Sequence, residues 1–211
     1  MYDMVNFRFV RKMESFDVSD AQLKSLIKGI MPFDEMTARQ AVFWCINHFV
    51  FSNDGSRLFS CGLDTSDCDR GQAIRAWRLP ELDQYSVLAR YSSYILCIAV
   101  SDNNELIAIG FVDGRVIVLN SMDGSVLFDE VCHTGDITDL LFLSKRQKLA
   151  SAGEDGEISL IDLKSFKKSQ KLVGHRAAVN ALSYCSRDDI LYSGSLDCTI
   201  LVWELRGISD T

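Results

Sequence analysis

Over most of its length, the chain alternates short apolar runs with polar turns. From about Val42 onwards, such runs are separated by turn signals such as Asp-Gly, a pattern typical of antiparallel strands joined by tight turns. Three of the turn aspartates, Asp113, Asp155 and Asp197, follow one another at intervals of 42 residues. A fixed period of this length indicates stacked copies of one supersecondary unit. With four strands in each copy, the pattern predicts an all-β propeller.

The first forty residues follow a different pattern. Alternating apolar and polar residues around Phe7 predict one strand. Ser19 and Gln22 form a capping box, and apolar residues at helical spacing then continue to Pro32, so we expect a helix there. A second short helix is predicted after Asp34. We expect residues 1–40 to form an extension and residues 41–211 to hold the blades, at about 42–84, 85–126, 127–168 and 169–209.

Three short motifs mark the last copy of the repeat. They are Gly174-His175, Ser193-Gly194-Ser195-Leu196-Asp197 and Val202-Trp203-Glu204. This copy resembles a WD repeat, with Glu204 in place of the usual final aspartate. Because the spacing recurs in four copies over about residues 42–209, the chain resembles the WD-repeat β-propeller family. The resemblance implies a partial or four-bladed propeller with a short α-helical N-terminal extension.

In that family, four side chains of a blade form a buried hydrogen-bonded network. The resemblance assigns this role to His175, Ser193, Asp197 and Trp203 in the last copy. The third copy has His133, Ser151 and Asp155, with Ile161 in the place of the tryptophan. The second copy keeps only Asp113, with Tyr91, Ile109 and Leu119 at the other places. The first keeps Ser60, Asp64 and Trp77, with Val42 at the place of the histidine, so only the last network is complete in sequence.

The same residue types allow a catalytic alternative. His175, Asp197 and Ser193 are the types found in a nucleophilic triad. However, His133, Ser151 and Asp155 recur at the same offsets, and a repeated set favours a structural role. No other constellation in the chain indicates catalysis, so the sequence predicts a protein that is not an enzyme.

Composition narrows the partners and the compartment. The net charge of −7 disfavours binding to nucleic acid, which requires clustered Lys and Arg. The seven cysteines show no paired framework, which favours a reducing compartment, the cytoplasm or the nucleus. We expect no membrane insertion, because no apolar run is long enough to span a bilayer. No cofactor is expected, and neither the loop at Asp67 nor Cys132-His133 has the spacing of a metal site.

Propellers of this family resemble one another in binding partners on one narrow face. The corresponding positions flank the start of each inner strand and precede the turn aspartate. Apart from Arg206, which is predicted on other grounds, the predicted partner-binding residues are Tyr94, Leu96, Val112, Asp136, Thr138, Glu154, Asn180 and Leu196. Exposed apolar groups beside two acids predict a protein or peptide partner with some basic character. The leading hypothesis is therefore a non-catalytic interaction scaffold.

Two questions remain open at the level of sequence. The segment Trp203-Glu204-Leu205-Arg206 is similar to the motif by which some WD-repeat proteins dock on the adaptor of cullin-RING ubiquitin ligases, so a substrate receptor is the alternative. Four blades are also at the lower limit for a propeller. We therefore expect a partial propeller from a longer protein. The alternatives are two copies that pair into a larger ring, or residues 4–10 supplying the outer strand of the last blade while the helices cover an edge.

Overall fold

The structure of the chain, a computed structural model, describes residues 47–63, 71–79 and 85–206. The strand and helices predicted within residues 1–40 lie outside the described residues, as does the acidic loop around Asp67. Within the described ranges the regular structure is almost entirely β-strand, with one short 3₁₀ helix at Ser144–Arg146. The prediction of an all-β fold is therefore confirmed.

The described strands form four antiparallel sheets, which we call blades one to four. Blade one contains β1 (His48–Phe51), β2 (Arg57–Leu63), β3 (Gln72–Arg78) and β4 (Tyr85–Tyr91). Blade two contains β5 (Ile95–Val100), β6 (Leu106–Phe111), β7 (Arg115–Asn120) and β8 (Val126–Val131). Blade three contains β9 (Ile137–Leu143), β10 (Lys148–Gly153), β11 (Glu157–Asp162) and β12 (Lys167–Val173). Blade four contains β13 (Val179–Cys185), β14 (Ile190–Ser195) and β15 (Ile200–Glu204).

Each blade is a meander in which successive strands pair, and the innermost strands of neighbouring blades lie side by side. Apolar clusters fill the space between blades one and two, two and three, and three and four. The middle strands of blades two and three are covered on both faces, which explains why they are continuous apolar runs. Partial propeller architecture is thus confirmed for the described residues.

Every blade has two distinct faces. We call the face towards the preceding blade the leading face and the opposite one the trailing face. Between blades two and three, the trailing side chains Val116 and Val118 pack in one cluster with the leading side chains Leu140, Phe142 and Leu149. Successive residues of a strand point to opposite faces, so one apolar strand serves two neighbouring interfaces.

The three repeated aspartates occupy equivalent turns. Asp113, Asp155 and Asp197 follow the second strand of blades two, three and four. In each turn a carboxylate oxygen accepts a hydrogen bond from the backbone N–H two residues later, at 3.2, 3.1 and 2.9 Å. Gly114 and Gly156 next to these aspartates have φ of +75° and +79°, a conformation that glycine adopts readily. The turn chemistry seen in the sequence therefore fixes this part of the fold.

The sequence repeats and the blades differ by one strand. The blade boundaries predicted at about 84/85, 126/127 and 168/169 do not match the sheets, because β4 pairs with β3 in blade one. The predicted boundaries at 126/127 and 168/169 fall inside β8 and β12, which complete blades two and three. A period fixes the spacing of the copies but not their phase, since any window of one period contains four strands.

Candidate functional site

In blade three, a histidine connects the loop before the blade to its second strand. The ring Nδ1 of His133 lies 2.9 Å from an Asp155 carboxylate oxygen, and Nε2 lies 2.9 Å from the Ser151 hydroxyl. A carboxylate only accepts hydrogen bonds, so Nδ1–H donates to Asp155, and Nε2 also faces the Ser151 carbonyl oxygen at 3.1 Å. The backbone N–H of Thr134 donates to the second Asp155 oxygen at 3.0 Å. A Cβ at Gly153 would lie 2.4 Å from His133 Nδ1, so the ring fits only against glycine.

Blade four repeats this network and adds an indole. His175 contacts Asp197 at 2.9 Å and the Ser193 hydroxyl at 2.7 Å. Trp203 Nε1–H donates to the same hydroxyl at 2.8 Å. The structure thus brings together all four residues that the resemblance assigned. In blade one, Trp77 donates to Ser60 at the same separation of 2.8 Å.

Hydrogen bonds lower the pKa of both turn carboxyls. For Asp197, the hydroxyl and backbone N–H of Thr199, the backbone N–H of Arg176 and the His175 ring together hold the pKa well below its usual range. For Asp155, burial alone would raise the pKa, but hydrogen bonds from His133 and from backbone N–H groups outweigh burial and lower it. Both carboxylates are therefore ionised, the form that accepts the hydrogen bond from the histidine Nδ1–H.

The networks hold one edge of the blades in a repeated conformation. We call the edge with the Asp113, Asp155 and Asp197 turns the upper edge. Three equivalent backbone bonds run along it, in which the residue before each turn aspartate donates to the loop residue before the innermost strand. They join Val112 to Tyr94, Glu154 to Asp136 and Leu196 to Ala178, at 3.1, 3.0 and 2.9 Å.

This pairing places most of the predicted partner-binding residues along the upper edge. Tyr94, Val112, Glu154, Asn180 and Leu196 are exposed, whereas Leu96, Asp136 and Thr138 are half-buried. The hydroxyl of Thr138 donates to the carbonyl of Val179 in the next blade, so this side chain contributes to the joint between blades.

A polar cluster joins the upper edges of blades one and two. The Tyr94 hydroxyl donates to the Asn47 side-chain oxygen at 3.1 Å. The Asn47 amide in turn donates to Gln72 Oε1 at 3.0 Å and to the Ile95 carbonyl at 3.2 Å. Gln72 was missed by sequence reasoning, because it follows the insertion that interrupts the repeat in blade one. The cluster orients the Tyr94 ring at a position where the ring remains 45% exposed.

Arg206 does not lie with the other predicted residues. Strand β15 runs away from the Asp197 turn, and Leu205 N–H donates to the carbonyl of Asp189 in the turn at the opposite, lower edge. Arg206 follows Leu205 and is exposed at this lower edge. The structure therefore separates Arg206 from the upper-edge positions by the length of a strand.

The lower edge contains a further polar joint that sequence reasoning missed. Arg146 Nε donates to both carboxylate oxygens of Asp189, at 3.0 and 2.9 Å, and the Tyr184 hydroxyl donates to one of them at 2.7 Å. The guanidinium beside Asp189 lowers the pKa of that carboxyl. A cavity of about 560 Å³ adjoins this joint, lined also by Lys145 and Lys164.

Around the centre, inner strands are joined by side chains that accept backbone hydrogen bonds. His48 Nδ1 accepts from Ile98 N–H at 3.2 Å, and an Asp139 carboxylate oxygen accepts from Leu182 N–H at 2.7 Å. Burial raises the pKa of Asp139. These two acceptors occupy equivalent places in blades one and three, although a histidine and an aspartate give no common sequence signal.

Among the described residues, no group of acidic, histidine or cysteine side chains has an arrangement that could hold a metal ion. The same part of the chain contains no helix with the length and hydrophobicity that crossing a bilayer requires. The described cysteines are free thiols, and burial raises the pKa of Cys61 and of Cys132 to about 11.

Stacked four-stranded meanders with a repeated His–Ser–Asp network define a class of repeat β-propellers. A sequence profile described as "WD domain, G-beta repeat" matches residues 121–162 and 166–204. The profile identifies two WD repeats within residues 121–204, and the solved structures share the β-propeller fold. The resemblance inferred from the sequence is thereby confirmed.

Individual relatives are similar over most of the chain but are longer. Apoptotic protease-activating factor 1 from Danio rerio is 29% identical over 74% of this chain and 12% of its own length. Small ribosomal subunit protein RACK1y from Oryza sativa subsp. japonica is 27% identical over 64% of this chain and 42% of its own. The structure of U3-55K matches with a TM-score of 0.67 at 22% identity, covering 79% of this chain and 50% of that one. The chain spans only 10–12% of the first curated relatives it matches.

Proposed function

We propose that this chain is a non-catalytic scaffold that binds a protein or peptide along its upper edge. The observation that carries the proposal is the repeated backbone bridge, which places exposed side chains of blades two, three and four at one edge. A WD-repeat fold generally serves protein interaction, and the buried networks supply a rigid support for such a surface.

The chemistry of the edge favours a partner with basic and apolar groups. Tyr94, Val112 and Leu196 supply exposed apolar surface, and Asp136 and Glu154 supply negative charge. Tyrosine is a frequent anchor at interfaces because it buries a large area with little loss of conformational freedom. A chain with a net charge of −7 is not expected to bind nucleic acid at this surface.

The networks support a structural rather than a catalytic role for the serines. Ser151 and Ser193 are buried, and the Ser193 hydroxyl already receives the indole N–H of Trp203. A nucleophile must reach a substrate, and a hydroxyl in this position has no open approach. Free buried thiols are consistent with the proposed cytoplasmic or nuclear location.

The test is a pull-down with the Tyr94→Ala/Asp136→Lys double variant. We expect loss of the partners captured by the wild-type chain, with an unchanged thermal midpoint. The matched control is Val126→Ala/Asp102→Lys, which changes charge equally at exposed positions away from the upper edge. Retention of every partner by the first variant would contradict the proposal.

The alternative, a substrate receptor that docks on a cullin-RING adaptor, is supported by one observation. Arg206 is exposed at the lower edge, where it leaves the upper edge free for a second partner. Arg206→Ala should abolish co-purification of the adaptor while Arg187→Ala, another exposed arginine, should leave it intact. Equal adaptor recovery from both variants would exclude docking through Arg206.

A further inference from the structure

Among the described residues, no further blade follows blade four to cover its trailing face. Among the described residues this blade has three strands where the others have four, so β15 is an edge strand. On the uncovered face, Tyr192, Ile200 and Val202 are 37, 72 and 57% exposed. The equivalent side chains of blades two and three are at most 1% exposed, namely Ala108, Val116, Val118, Ala150, Ile158 and Leu160. The same positions are thus buried in blades two and three, each of which is followed by another blade.

The leading face of blade one is exposed along its innermost strand, although Leu58 on the same face is only 4% exposed. Phe49 and Phe51 on its innermost strand are 55 and 46% exposed. Their equivalents in blade three, Leu140 and Phe142, are buried against the trailing face of blade two. Blade four therefore exposes a trailing face, and blade one exposes a leading face of the kind that covers trailing faces elsewhere in the molecule.

We propose that a second copy of this chain covers both faces, head to tail, and that two copies form one eight-bladed ring. In each contact, Ile200 and Val202 of one copy pack against Phe49 and Phe51 of the other. This contact has the same form as the internal one, in which Val116 and Val118 pack with leading-face residues of blade three. The inference is independent of the upper-edge binding proposed above.

Three considerations favour a second copy as the occupant. Head-to-tail contacts either close into rings or extend as filaments, and two four-bladed arcs close within the range of four to eight blades that propellers use. Each copy supplies one face of each type, so a pair covers both of these exposed faces. Solved propellers of this fold are also about twice as long, since the chain covers 50% of the U3-55K chain and 47% of the matched chain in the mitotic checkpoint complex.

Light scattering coupled to size exclusion, with the full 211-residue chain, tests the proposal directly. We expect a particle of about 47 kDa, twice the chain mass of 23.7 kDa. Ile200→Asp and Phe49→Asp should each weaken the dimer at least about tenfold, because each places a charge in both apolar contacts. Val173→Asp is the control, since this exposed valine lies on the outer strand β12 and should leave the dimer intact.

Mixing the two variants distinguishes head-to-tail pairing from other arrangements. An equimolar mixture contains one contact with two intact faces, so it should form more dimer than either variant alone. Dimers that persist in Phe49→Asp would overturn the head-to-tail contact, and a concentration-independent mass of 23.7 kDa for the wild type would overturn pairing altogether. A series of larger particles would overturn the closed ring. Circular dichroism verifies folding, and Val202→Asp replaces Ile200→Asp should the latter unfold.

Discussion

Blades two and three use different side chains at the positions that hold the loop before each blade. Blade three holds its preceding loop with His133 and Ser151, whose side chains are buried and hydrogen-bonded. Blade two has Tyr91 and Ile109 at these places, and Tyr91 packs edge-on against Phe111 at a ring separation of 5.1 Å. Both blades are nevertheless enclosed by apolar clusters on two sides.

The difference teaches that the polar network is one way to fix a blade, not a requirement for folding it. Apolar packing tolerates gradual change, because each contact contributes separately. A buried polar network depends on all its members, since removing one leaves the others without partners in a medium that does not replace them.

The largest effect is expected from removing the histidine of blade three. His133→Ala removes the ring that contacts the buried Ser151 hydroxyl and the donor to Asp155. We expect the free energy of unfolding to fall by about 3 kcal/mol, the range for a broken buried network. Urea denaturation measures the loss. In the double variant His133→Ala/Asp155→Ala, the second substitution should cost much less than it does alone, and strict additivity would show that the residues do not act as a unit.

A smaller effect is expected where a glycine of blade two meets the next blade. A Cβ at Gly110 would lie 2.5 Å from Ile137 and 2.7 Å from the Cys97 sulfur. Gly110→Ala should therefore lower stability by about 1–3 kcal/mol through overpacking. The equivalent Gly194 in blade four is the matched control, because its nearest neighbour, Ala181 Cβ, is 4.0 Å away. Equal losses from both substitutions would contradict the role of the following blade.

The free energy of unfolding should also depend on pH through the Asp155 carboxylate of blade three. The folded-state pKa of Asp155 lies below its unfolded value, so its stabilising contribution is complete above the unfolded pKa and is lost as the pH falls through the folded one. Urea midpoints should therefore decrease with acidification from about pH 4 downwards, and less steeply in Asp155→Asn. An identical slope in that variant would show that the carboxylate does not contribute.

The smallest effect is expected at the histidine place of blade two. The Tyr91 hydroxyl is buried and has no hydrogen-bond partner among the described residues, and burial raises its pKa. Tyr91→Phe removes this hydroxyl while keeping the ring, so stability should stay within about 1 kcal/mol of the wild type or rise. A thermal midpoint that falls by many degrees would reveal an unrecognised partner of this hydroxyl.

Much of the fold could be predicted because repetition makes local signals mutually consistent. The aspartate turns and the apolar runs at residues 115–119, 157–161 and 199–203 predicted strands that the structure contains. The repeats and the sheets differ by one strand, since outer strands such as β12 (Lys167–Val173) carry mostly exposed polar residues and do not reveal which sheet they complete.

The candidate site was predictable only where it repeats. Tyr94 and Glu154 were found by their offset from the turn aspartates. Gln72 follows an insertion, and the Arg146–Asp189 joint occurs once, so neither has a copy that could identify it. Such contacts depend on which blades become neighbours. A single sequence, without the three-dimensional arrangement, does not reveal this.

The one-strand offset between repeat and blade has a consequence for how such a chain changes length. Each 42-residue segment of sequence begins with the outermost strand of one sheet and then enters the next, so adjacent sheets are interlocked covalently as well as by packing. Duplication of a segment inserts a unit that finishes its predecessor and starts its successor, whereas deletion at either end of the array leaves an unfinished sheet. The number of blades can therefore increase by whole segments without requiring a new type of contact between neighbouring blades.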